Sequence, residues 1–453
     1  MTQTATVKGP WASALERRAA ETQAPHENDA EETLEIAFVG RRGPLFWLAL
    51  KTGFLTVLTL GLYRFWMKTR LRQWYWSAIR PGGHPLEYVG DPLEKLLGFF
   101  IAVVILTFYI GILNLVLMFV SFSVFSSSVV GYVASFAGVI PLWFYARYRA
   151  RRYVLARTRW RGVRFALAKG AWGYAARALL HWAITLSTLG ILWPRMTFFL
   201  EKYRTDRTFF GSAQLTQGGS WTMLYRAALP FMAAAVATLL CAAWLVFLDP
   251  IFAEGSPSLD VAAQDLGRAL QGQSPRVAWE NPQRLWVMPI CIAVLLFGAI
   301  YYNWNAKRLL ANHKTASGLQ LRSHLNAARV AMIYVLGNFL SYLFLIIGLI
   351  GLLVLVFSIF GASGFELMSG SEQAAPSALR WVQGVILFML YLGLFLMWGV
   401  LHSVFVTVPL MRHMALTTSF AETAGFALIS QRARDAAEQA EGFAEALDVG
   451  AAI

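Results

Sequence analysis

Six apolar stretches, at about 96–122, 126–146, 227–248, 285–304, 330–360 and 381–409, run through this chain with no Asp or Glu inside any of them. Crossing a hydrocarbon core takes about 20 apolar residues. In lipid the backbone has no water to bond, so such a stretch folds as a helix. The expected fold class is an all-α polytopic membrane protein. Composition agrees, with 57% of the 453 residues hydrophobic and only 14% charged.

The formal net charge of +14 would point to nucleic acid in a soluble protein. Here Lys and Arg cluster beside the apolar stretches, where anionic headgroups lie. The lipid bilayer and anionic phospholipid headgroups are the expected partners, and nucleic acid is not. Basic connections stay on the cytoplasmic side. The connection 147–177 holds ten Lys and Arg and no acid, so it is assigned to the cytoplasm, as is 305–329 with Lys307, Arg308, Lys314, Arg322 and Arg329. Stretch 249–284, with Asp249, Glu254, Asp260, Asp265 and Glu280, and stretch 361–380, with Glu366 and Glu372, are assigned outside.

Two weaker segments, 45–66 and 174–194, are flanked by cations at both ends. A full crossing would strand one basic flank outside. The expectation is therefore six transmembrane helices plus two re-entrant or interfacial segments, with both termini cytoplasmic. Eight full crossings is the rival, and it breaks the charge rule twice. Residues 1–37 have no apolar core of a signal peptide, so none is expected.

The weak segments resemble one another. Thr59-Leu60-Gly61-Leu62 matches Thr188-Leu189-Gly190-Ile191, and each lies about twenty residues after an alternating run, Leu34/Ile36/Phe38 or Val163/Phe165/Leu167. Leu319/Leu321 begins a third copy. This pattern reads as an internal repeat, with Gly61 and Gly190 allowing a sharp turn at a helix end. The alternating runs, together with Leu86/Tyr88 and Phe209/Ala213, read as short strands that pair into a small cytoplasmic sheet.

Aromatic and basic residues also recur at helical spacing: Trp66/Arg70/Trp74, Trp143/Arg147/Arg151, Phe199/Tyr203/Arg207 and Trp304/Arg308/Asn312. Such stripes are helix faces leaving the membrane, with arginines snorkelling to headgroups. The sharper reading makes Arg70, Arg147, Arg151, Arg207 and Arg308 headgroup-binding residues. Lys51 and His181 sit at comparable positions, about two helical turns before their Thr-Leu-Gly motifs. They are the ligand-binding candidates, against the plainer reading of a snorkelling lysine and a hydrogen-bonded histidine.

The run Phe38-Val39-Gly40, Leu45-Phe46-Trp47 and Leu55 through Arg70 resembles the signature of the YjgN-like bacterial inner-membrane proteins, a family of unknown function. The likeness is specific over about 36–75, weaker over 140–215 and faint around 300–335. It departs where Ile347-Gly348-Leu349-Ile350-Gly351 stands for the Thr-Leu-Gly motif. The resemblance implies a bacterial inner-membrane location and carries no catalytic residues.

Three regions are expected: a disordered tail over 1–33, a repeat-containing transmembrane domain over 34–410, and a cytoplasmic helix and tail over 411–453. The last would open at a capping box, Ser419-Phe420-Ala421-Glu422. No catalytic motif is present, Cys241 and Cys291 form no metal-binding pattern, and no enzyme, cofactor or metal is expected. The absence of acids from the six stretches argues against ion coupling through buried carboxylates. Transport or lipid handling is the first functional expectation. The alternative is a non-transporting scaffold or envelope protein that binds anionic lipids or partners through a basic cytoplasmic face.

Overall fold

The computed structural model describes residues 33–125, 128–245, 268, 286–360, 377–421 and 423–432. The tail expected over 1–33, apart from residue 33, and most of the two acidic connections lie outside the described residues.

Helical hairpins spring from short strands in a regular way. Strand β1 (Leu34–Phe38) leads into α1 (Arg42–Leu58), and α2 (Arg64–Ala78) returns to β2 (Ile79–Pro81). Next, β3 (Leu86–Tyr88) leads into α3 (Pro92–Phe125), and α4 (Ser128–Ala156) returns to β4 (Thr158–Trp160). The third unit comprises β5 (Val163–Leu167), α5 (Ala171–Ser187), α6 (Trp193–Thr205) and β6 (Thr208–Phe210). The fourth runs from β7 (Ala213–Gln217) through a 3-10 turn at Trp221–Leu224, α7 (Tyr225–Ala243) and α8 (Val287–Ala311) to β8 (Lys314–Ala316). The fifth is β9 (Leu319–Ser323), α9 (Ala327–Phe360), α10 (Ser377–His402), a π-helical turn at Ser403–Thr407, α11 (Val408–Leu416) and β10 (Thr418–Ala421). In every unit three residues separate the leading strand from the helical segment.

Within each unit the leading and returning strands pair antiparallel. Ile36 opposes Pro81, Leu86 opposes Trp160, Phe165 opposes Phe210, Leu215 opposes Ala316 and Leu321 opposes Phe420. A helical excursion held at both ends by one strand pair returns to the side it left. Tight turns join successive units. Arg161-Gly162 and Ser317-Gly318 both have positive φ, the geometry whose twist suits a two-residue hairpin. The resulting ladder runs β2-β1-β10-β9-β8-β7-β6-β5-β4-β3. Its end strands, β2 and β3, are consecutive in the chain and touch, so the sheet is a nearly closed barrel.

This sheet overturns the expected all-α fold of six transmembrane helices and two re-entrant segments with only a small sheet. Ten antiparallel strands, joining all five units, are the organising element. Among the described residues, four helices are long and apolar enough to cross a membrane: Trp221–Ala243, Val287–Ala311, Ala327–Gly351 and Tyr391–Leu416. The chain is a membrane protein. The stretches at 96–122 and 126–146 lie on α3 and α4, parts of whose side chains are outside the described set. The capping-box residues Ser419–Ala421 belong to β10, and a short 3-10 segment, Thr423–Leu428, follows where a helix was expected. Pairing of Phe420 with Leu34 and Leu321 outcompetes local helix capping there.

The helices pack as a second ring above the first. Each packs on its neighbour in order, and α10 packs back on α1, where Gly53 leaves no room for a Cβ against Leu396. Segments 45–66 and 174–194 are two-helix hairpins with matching tips. Thr59 and Thr188 bond back to the carbonyls of Leu55 and Ile184 at 2.8 and 2.9 Å. Gly61 and Gly190 donate to Thr56 and Thr185 at 2.7 and 2.8 Å, closing the helix ends. Leu60 and Leu189 hold φ of +51° in both tips, and Leu189 is 93% exposed. An exposed leucine in a left-handed conformation is costly in water, and contact with lipid removes the apolar part of that cost.

Gly190 has φ of +87° and open space where a Cβ would stand, so only backbone conformation is at stake there. Gly190→Ala should destabilise by about 1–2 kcal/mol, seen as a lower melting midpoint in detergent. An unchanged midpoint would contradict the tip geometry.

Candidate cationic site at the helix–sheet junction

The returning helices bring their last turns onto the sheet, and three of them deliver cations to one carboxylate. Glu201, near the end of α6, accepts from Arg204 at 2.5 Å and from Lys314 of β8 at 2.6 Å. Arg151 of α4 and Lys307 of α8 lie close enough for their charges to act on the same group, and Arg147 of α4 lies within reach of Arg151 and Lys307. Four cations therefore act on one acid, with a fifth beside them. The Glu201 side chain keeps 15% of its surface accessible, while Arg147 and Lys307 are exposed. The cluster is therefore an acid held low among cations, two members of which reach the surface.

Energetics bear on what the cluster can hold. Burial alone would raise the Glu201 carboxyl, but Arg204, Lys314 and Arg151 outweigh it and hold the group well below the usual carboxylate range. Burial pushes Arg151 down, and Glu201 only partly offsets that loss of hydration. The Nε atoms of Arg151 and Arg204 are buried without a hydrogen-bond partner, as is Oε1 of the neighbouring Gln217. Gln217 itself is fixed by its Nε2, which donates to the Leu310 carbonyl at 3.0 Å, and by its backbone N–H, which donates to Asp206 at 2.8 Å. Buried polar atoms are nearly always satisfied, and a surplus of charge-bearing donors suits an anion.

The candidates named from sequence divide accordingly. Arg147 and Arg151 belong to this cluster. Arg308 sits half-buried one residue beyond Lys307. Arg70 and Arg207 lie over the rings of Tyr63 and Tyr203, at 5.9 and 3.7 Å, away from Glu201. Lys51 is exposed on α1, which packs against α2 and α10. His181 is buried on α5, stacked on Phe199 at 5.3 Å with Nδ1 3.3 Å from Arg195. The two stand on separate hairpins with separate neighbours. No group of His, Cys, Asp or Glu among the described residues could hold a metal ion.

Sequence reasoning missed Glu201, Arg204, Lys307 and Lys314, which it counted only as loop charges. One local signal was present, the i, i+3 spacing of Glu201 and Arg204 on a helix face. Lys314 is 113 residues from Glu201, and no local pattern could pair them.

Removing one partner from a buried ion pair costs about 3–5 kcal/mol, so Glu201→Gln should lower the melting midpoint sharply. The folded-state carboxyl is depressed, so its contribution is fully present above about pH 4.3, the ordinary Glu value. It is lost as pH falls from there through the folded value. Melting in detergent across that range should show a shallower acid dependence for Glu201→Gln than for the native chain, and parallel curves would contradict the assignment.

A family model described as a bacterial protein of unknown function (DUF898) matches residues 33–349. No curated protein and no solved structure matches this chain. The match spans the first four strand-rooted units and the start of the fifth, well over half of the chain, and the protein belongs to the DUF898 family.

Proposed function

We propose that this protein is a multi-pass protein of the bacterial inner membrane, with both termini and the strand ring cytoplasmic, that handles anionic lipid without catalysing a reaction. The observation that carries the reading is the cation surplus around Glu201, with Nε atoms of Arg151 and Arg204 that no protein atom satisfies. A phosphate or carboxylate headgroup supplies the acceptors those donors lack. The basic connections 147–177 and 305–329 support the cytoplasmic placement.

The matching hairpin tips and the recurring three-residue spacer support an internally repeated architecture. Such an architecture places the returning helices around one axis and lets their cations converge. Handling here means binding a lipid, and moving it between sites, without ion coupling through carboxylates inside the apolar stretches. A pure scaffold would need no buried cation cluster, since exposed arginines suffice for headgroup contact.

The test is the lipid retained by the purified full chain, read by native mass spectrometry from detergent. Phosphatidylglycerol or cardiolipin should co-purify with the native protein. The double variant Arg147→Glu/Arg151→Glu should lose about tenfold or more of it, as expected when two charge-assisted contacts worth about 1.5–3 kcal/mol each are reversed. Equal retention by the folded double variant would end the proposal.

A further inference from the structure

The inside of the strand ring is an apolar cavity of about 270 Å³. All ten strands contribute to its wall, among them Ile36, Trp160, Phe165, Phe210, Leu321 and Phe420. Protein interiors pack with few voids larger than a water molecule, and an apolar cavity gives water too few partners to hold it. Left empty, this space would lower stability in proportion to its volume.

The two ends of the ring differ. At the end away from the helices, segment Thr423–Leu428 lies across the opening. Its Phe426 packs edge-on to Trp160 and Phe420, with ring centroids 5.1 and 5.8 Å apart. Ser430 ties the segment to the β6–β7 turn: its carbonyl accepts from the Ser212 N–H at 2.8 Å, and its N–H donates to Ser212 Oγ at 3.1 Å. At the helix end, Lys314 both lines the cavity and bonds Glu201. Lys314 therefore joins the apolar chamber to the cation cluster. The compartment is amphipathic along its axis, cationic at the helix end, apolar within and capped at the far end.

We propose that the strand ring binds the hydrocarbon tail of a single-chain anionic amphiphile, whose headgroup sits at the Glu201 cluster. This rests on the headgroup reading above and adds the class of ligand. Two features exclude other occupants. A two-chain lipid is too bulky for a chamber of about 270 Å³ in a nearly closed ring whose far end is capped. A small polar anion would leave the apolar chamber unfilled. Strands of three to five residues, rising about 3.4 Å each, make a chamber roughly 10–17 Å deep, which suits a tail of medium length. Fatty acids and lysophospholipids share this chemistry and differ in the head.

The experiment uses the delipidated full chain in detergent and two photoreactive probes, dodecanoic acid and dodecanoyl lysophosphatidylglycerol, each with a diazirine in the tail. Cross-linked peptides are mapped by mass spectrometry, and the probe that labels at lower concentration identifies the head. Labels should fall on the peptides carrying β5–β6 and β8–β9. Ala316→Trp fills the chamber and should cut that labelling about tenfold or more, since each buried methylene displaced is worth about 0.8 kcal/mol. Leu215→Trp is the second filling variant should the first fail to fold. Inorganic phosphate binding at the cluster should survive filling and fall in Arg151→Glu. Labels confined to the membrane helices, or unchanged in a folded filling variant, would overturn the proposal. Ring labelling with no phosphate binding in the native chain would instead overturn the headgroup reading and leave the tail site assigned.

Discussion

Pairing between β1 and β10, at opposite ends of the described chain, is the contact on which the rest depends. Leu34 opposes Phe420, and β10 continues the ladder to β9. Strands of three to five residues are too short to persist alone or as isolated hairpins. Each of the eight inner strands is stabilised by a paired neighbour on either side. With β1 and β10 paired, the ladder is continuous from β2 round to β3, and the Gly82–Pro85 turn brings those two ends together. Near closure leaves only two short edges, β2 and β3, set beside each other, which limits recruitment of other chains.

The ring governs the helices. Because each hairpin is rooted in one antiparallel pair, all of them project from the sheet as out-and-back excursions, and their returning helices end on it. The last turns of α4, α6 and α8 then crowd around Glu201, and the cost of gathering these cations is met in part by one shared carboxylate. Aromatic faces share the load nearby: Arg157 lies over Tyr153 at 3.8 Å and Lys307 over Trp304 at 3.8 Å. Cations held over rings keep part of their stabilisation when water is removed. The arrangement leaves Arg151 and Arg204 with buried nitrogens that the protein does not satisfy, and this is the physical reason for placing a ligand there.

Some of this was legible in the residues. The runs at Leu34/Ile36/Phe38, Val163/Phe165/Leu167 and Leu319/Leu321 announce strands because five residues suffice to show a two-residue period. Thr-Leu-Gly announces a turn because a threonine that bonds its own helix and a glycine with positive φ are local properties. The strands β2, β4 and β8 were not read, since Ile79-Arg80-Pro81, Thr158-Arg159-Trp160 and Lys314-Thr315-Ala316 offer no alternating pair of the Leu86/Tyr88 kind. The barrel was invisible for a related reason: each strand's partner lies beyond a helical hairpin, so the pairing is a property of topology. Glu201 looked like one acid in a basic connection. Only the fold puts Lys314 and Arg151 against it. At Ser419 the local capping signal was genuine and lost to the ladder, as short-range preferences do when several strand contacts compete with one cap.

The most direct test of this account is amide hydrogen exchange on the purified full chain, resolved by peptide. The account predicts that β1, β10 and the three-residue strands β2, β4, β6 and β8 are protected together, at one common rate set by opening of the ring. Rapid, independent exchange of those short segments beside protected helices would contradict it, because the strands would then be loops and nothing would hold the hairpins, the cation cluster or the chamber in register.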